Sequence, residues 1–87
     1  MLIRGTVTGA DGEPIEWATV WFASGDHPTP DIAAVTDAAG AFTLTAPAPG
    51  TYRLGSNAEA HGPAEVTVEV TDRDIDVAIT LPPAPSA

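Results

Sequence analysis

Residues 36–54, Thr-Asp-Ala-Ala-Gly-Ala-Phe-Thr-Leu-Thr-Ala-Pro-Ala-Pro-Gly-Thr-Tyr-Arg-Leu, decide the fold. They read as turn, strand, turn, strand. Asp37 and Gly40 take the first and fourth places of a type I turn, which favours Asp at the start and Gly at the end. Phe42 and Leu44 then point to one face and Ala41, Thr43 and Thr45 to the other, the period-two pattern of a half-buried strand. Pro49-Gly50 has the residue order of a type II turn, because Pro presets φ and Gly accepts a positive φ. Tyr52 and Leu54 resume the alternation.

The same alternation extends in both directions. Upstream, residues 2–8 place Ile3, Gly5 and Val7 on one face and Leu2, Arg4 and Thr6 on the other. Asp11-Gly12, within residues 9–13, marks a tight turn. Pro14 precedes a strand expected over 16–23, with Ala18, Val20 and Phe22 inward. In an unbroken strand Trp17, Thr19 and Trp21 then face outward. Residues 24–31 have loop composition, and a weak strand follows over 32–36 with Val35 expected inside. Downstream, 57–63 is a loop and 64–71 a strand lined by Val66, Val68 and Val70. Asp72-Arg73-Asp74 turns into a last strand, 75–81, with Ile75, Val77, Ile79 and Leu81 inward. Seven short strands closely punctuated by turns, with no helical period, predict an all-β, seven-stranded antiparallel sandwich.

Eighty-seven residues make one small domain, expected over 1–81, with a Pro/Ala-rich tail or linker at 82–87. There is no cysteine, which excludes a disulfide framework and a thiolate metal site. Twelve acidic residues against three arginines give a net charge of −9. A domain this acidic repels nucleic acid and anionic membrane. No apolar run approaches the ~20 residues of a membrane span. The first residues lack the charged start and apolar stretch of a signal peptide.

Thr36-Asp37-x-x-Gly40-x-Phe42-x-Leu44, followed by Pro49-Gly50-Thr51-Tyr52-x-Leu54, resembles the carboxypeptidase regulatory-like domain, a transthyretin-like (prealbumin-like) sandwich. Gly5-x-Val7, Asp11-Gly12-x-Pro14-Ile15 and Ala18-Thr19-Val20 fit the same pattern. So do Val66-x-Val68-x-Val70 and Val77-x-Ile79-x-Leu81, and the likeness covers residues 3–81. It implies an accessory domain with no active site of its own. Where this chain has Trp17, members of the family usually carry a small residue.

The residues able to do chemistry are few. His27 and His61 each sit in a loop rich in Pro or Gly, and Ser24, Ser56 and Ser86 lack a Gly-x-Ser-x-Gly context. A nucleophile, a base and an orienting group are therefore not visibly assembled, and no catalytic or cofactor-binding residue is expected. Tyr52-Arg53-Leu54-Gly55-Ser56 resembles the Tyr-Arg-Gly-Ser end of transthyretin-related hydroxyisourate hydrolases, but carries an extra Leu54 and lies inside the chain. Absence of lysine excludes a Lys–Asn isopeptide link. Asp72, Asp74 and Asp76 could collect calcium, since hard cations take clustered carboxylates. They equally read as acidic residues that keep a strand edge soluble.

The remaining feature is the aromatic pair. Trp17 and Trp21 are two of five aromatics, and with Thr19 they form a candidate partner-docking surface. The expectation is a non-catalytic accessory or interaction module, part of a larger secreted or membrane-attached protein and exposed outside the cell or in its envelope. Its partners would be a neighbouring domain, another protein or, weakly, a second copy, without nucleic acid or direct membrane contact. The alternative is a carbohydrate-binding module that stacks sugars on the tryptophans. A small hydrolase ranks third.

Overall fold

The computed structural model describes residues 2–26 and 33–83. Their alternation becomes seven strands: β1 (Leu2–Gly9), β2 (Thr19–Gly25), β3 (Ala33–Val35), β4 (Ala41–Thr45), β5 (Gly50–Asn57), β6 (Ala64–Val70) and β7 (Ile75–Leu81). Among the described residues no helix is long and apolar enough to cross a membrane. One sheet has the order β4-β1-β7 and the other β3-β2-β5-β6. Every ladder is antiparallel except that of β1 with β7, which run parallel from Ile3 opposite Ile75 to Gly9 opposite Leu81.

The core lies between the sheets. Ile3, Val7, Phe42, Leu44, Ile79 and Leu81 come from the first sheet, and Val20, Phe22, Tyr52, Leu54, Val68 and Val70 from the second. Gly5 is inward and has no room for a side chain. A Cβ there would sit 2.6 Å from the Phe42 ring and 2.5 Å from the Val77 carbonyl oxygen. Tyr52 is buried, as its alternation requires, and its hydroxyl donates to the Ala48 carbonyl at 2.6 Å. The hydroxyl thereby satisfies its polar end while the ring packs 5.5 Å from Phe22.

The turns follow their residues. Gly40 N–H donates to the Asp37 carbonyl, and the Asp37 carboxylate accepts from the N–H groups of Ala39 and Ala41. Gly12 closes the first turn with φ 84° and donates to Gly9. Such a φ suits glycine, which has no Cβ to clash.

The structure departs from the sequence pattern in four places. The second strand starts at Thr19, because Glu16 and Trp17 form a turn. It runs on to Gly25 through a bulge between Phe22 and Ser24, so Ser24 and Gly25 join the ladder of β5. In β3 it is Ala34 that turns partly inward, and Val35, expected inside, is 55% exposed. Gly50 has φ 159° and opens β5 opposite Val70, so Pro49-Gly50 is not a type II turn. The ladder with β6 draws the glycine into extended backbone. After β7, the Pro82 carbonyl accepts from Gly62 N–H and Pro83 bridges His61. His27, most of the 24–31 loop, and residues 84–87 lie outside the described residues.

Candidate functional site

Thr19 and Trp21 point outward from β2, as expected. Thr19 lies between Val35 and Asn57, and Trp21 between Ala33 and Gly55. The indole of Trp21 lies down on Gly55: a Cβ at that glycine would come within 2.6–2.7 Å of three ring atoms. Small partners on both sides let the large ring cover its own sheet. Trp21 is accordingly half-buried rather than free.

Trp17 is elsewhere. A straight strand would place it on the same row as Trp21, but it occupies the turn before β2 with φ 68°. A positive φ at a bulky residue is an outlier, since Cβ crowds the backbone there. Its neighbours explain how the turn is held. Buried Thr36 accepts from Ala18 N–H through its hydroxyl at 2.9 Å and donates the same hydroxyl to the Ile15 carbonyl at 2.6 Å. Thr36 N–H donates to Ala18 and Trp17 N–H to Thr36. One side chain therefore ties together both ends of the turn. The indole it presents is 74% exposed, and Val35 beside Thr36 adds exposed apolar surface. Val35 was expected inside; it faces out because the neighbouring Thr36 turns inward to reach the Ala18 N–H and the Ile15 carbonyl.

The connections at this end of the sandwich are acidic. Asp11, Glu13, Glu16, Asp37 and Glu59 are all exposed there. The arginines lie away from it. Arg4 pairs with Asp76 at 3.7 Å on the outer face of β1 and β7, and Arg53 with Glu65 at 3.8 Å across β5 and β6. Both are exposed pairs that contribute little. Arg73 is in the turn between β6 and β7.

Other groups converge less. His61 Nδ1 lies 3.0 Å from the Glu59 carbonyl, beside a shallow depression of about 260 Å³ lined by Ala10, Asp11, Ala60, His61 and Pro83. That lining holds a base and a carboxylate but no hydroxyl or thiol nucleophile. In Tyr52-Arg53-Leu54-Gly55-Ser56 the residues diverge: Tyr52 and Ser56 are buried, Arg53 is outside with Glu65, and Gly55 lies under Trp21. The Ser56 hydroxyl is buried with no hydrogen-bond partner among the described residues. Asp74 accepts from Leu2 N–H, and Asp76 faces Arg4. Among the described residues no three His, Cys, Asp or Glu side chains come together to hold a metal ion.

A family model described as "Carboxypeptidase regulatory-like domain" matches residues 2–82. No curated protein matches the chain. Among solved structures, the 5-hydroxyisourate hydrolase of Klebsiella pneumoniae is similar with a TM-score of 0.70 at 21% identity, over 98% of this chain and 93% of that one. A C-terminal interface mutant of a type II Cohesin-X-Dockerin complex from Acetivibrio cellulolyticus contains a chain that matches with a TM-score of 0.70 at 19% identity. Chlorocatechol 1,2-dioxygenase from Pseudomonas putida matches at 0.66 and 16% identity. The last two matches cover 93% of this chain but only 56% and 59% of theirs, so it spans little more than half their length. At such identities the likeness is one of fold.

Proposed function

The chain belongs to the carboxypeptidase regulatory-like domain family, and on that premise we propose that it is a non-catalytic module docking against an adjoining domain, a partner protein or a second copy. The docking surface is the Trp17 turn together with the outer face of β2 and β3, where Thr19, Trp21 and Val35 lie. One observation carries the proposal: Trp17 is 74% exposed while its backbone is held at φ 68°. A strained backbone position persists only where surrounding structure enforces it, and such positions cluster at binding sites. The exposed indole gains nothing for the interior, whereas aromatic side chains are enriched where proteins meet.

The absence of catalysis rests on the family and on the divergence of Tyr52, Arg53 and Ser56 across the sheet. It predicts no turnover of hydroxyisourate-type, ester or peptide substrates above background. Turnover lost on replacing His61 would contradict it. Sugar stacking is less well supported, because Trp17 and Trp21 do not share one strand row and one side of Trp21 rests on Gly55. We place the module outside the cell or in its envelope, within a larger protein.

Docking is tested by the accessibility of Trp17 in a Trp21→Phe variant, which leaves one indole to follow. Acrylamide should quench Trp17 strongly in the dilute isolated chain. It should quench it weakly when the chain is concentrated enough to sediment as a dimer, or when it is carried in its longer polypeptide. Equal, full accessibility in all three states would overturn the proposal.

A further inference from the structure

The parallel pairing of β1 with β7 sets how the domain responds to a pull on its two ends. Seven residue pairs join the strands, from Ile3–Ile75 to Gly9–Leu81. The chain enters the ladder at Leu2, beside the first of these pairs, and leaves it at Pro82, just beyond the last. The two points are separated by the length of β1, about 23 Å for seven steps of ~3.3 Å. A pull on the ends therefore draws β1 and β7 past each other along their shared axis. All the hydrogen bonds of the ladder resist together, whereas a ladder opened from one end yields bond by bond.

The ladder is also held at both ends and in the core. Leu2 N–H donates to the Asp74 carboxylate at 3.0 Å, and Gly62 N–H donates to the Pro82 carbonyl at 2.8 Å. Ile3 and Leu81, close to the two points of load, are fully buried. Sliding the strands would drag both side chains through close-packed core, where every neighbour must move.

We propose that the domain is a load-bearing link, with the β1–β7 ladder as its shear clamp. This goes beyond docking, since it uses neither tryptophan. The test is single-molecule force spectroscopy on one protein in two pulling directions. The chain has no cysteine, so Arg73→Cys offers a unique attachment point in the exposed turn before β7. Pulling between residues 1 and 87 loads the ladder in shear. Pulling between residue 1 and Cys at position 73 peels the same ladder from its Ile3–Ile75 end. At equal loading rate the end-to-end pull should need at least about twice the force of the peeling pull. Equal or lower force end to end would overturn the proposal. Both pulls act on the same Arg73→Cys protein, so a change in its stability cannot produce the difference.

Discussion

Thr36 shows how much one buried hydroxyl can organise. It bridges Ala18 N–H and the Ile15 carbonyl, which face each other across the Glu16–Trp17 turn. Thr36→Val keeps the shape and removes the bridge, leaving a buried donor and acceptor unpaired. The expected loss is about 1–3 kcal/mol, read from the midpoint of urea denaturation, and Thr36→Ser should recover most of it. No loss in Thr36→Val would mean the turn is held by its other bonds. The sequence marked Thr36 as the end of a weak strand and the start of a turn, not as a buried bridge. A threonine's partners depend on what the fold brings to it, and Ile15 is 21 residues away. The same contact hid the phase of β3, because burying Thr36 turns Val35 outward. Trp17 was illegible for a related reason. A positive φ is foreseen at Gly or Asn, not at Trp.

At the scale of elements, alternation was enough wherever a strand is long and one face is buried. β1, β4, β6 and β7 lie within one residue of where their apolar periods put them, because a slip of one residue would turn every inward side chain to solvent. It failed at β2, where a turn and a bulge interrupt the period, and at β3, which has three residues. It also could not show that β1 and β7 run parallel, since a parallel and an antiparallel pair present the same inward faces. Gly5 is where these elements meet. It faces the Phe42 ring of β4 on one side and the Val77 carbonyl of β7 on the other. Phe42→Ala removes the ring and should cost about 3–5 kcal/mol, as large-to-small aromatic changes in cores do. Gly5→Ala should destabilise by about 1–3 kcal/mol through overpacking. Combining it with Phe42→Leu should recover only part of that loss, because the Val77 carbonyl still obstructs the methyl group. Full recovery would show that the ring alone fills the space.

For the whole molecule, folding and binding are assigned to different parts. The interior between the sheets holds the fold, and the β1–β7 ladder is the part we propose to carry load along it. The Trp17 turn, with Trp21 and Val35 on the adjoining face, is the surface we propose for a partner. The sandwich was legible in the sequence from alternation and turn residues, and the family from the resemblance of the motifs between Thr36 and Leu54 and their flanks. The candidate site could be read as a pair of tryptophans but not as a place, because one lies in a turn and the other on a glycine of a strand distant in sequence. If Trp17 serves a partner, the isolated domain should not need it. Urea denaturation of Trp17→Gly tests this most directly. Glycine at φ 68° releases Cβ crowding worth about 1–2 kcal/mol and gives back roughly 0.5–1 kcal/mol as unfolded-state entropy. The account predicts a domain as stable as the parent, or up to about 1.5 kcal/mol more stable. A loss of about 1 kcal/mol or more, the size of an ordinary structural substitution, would mean that the indole supports the fold and would contradict the assignment of Trp17 to a partner.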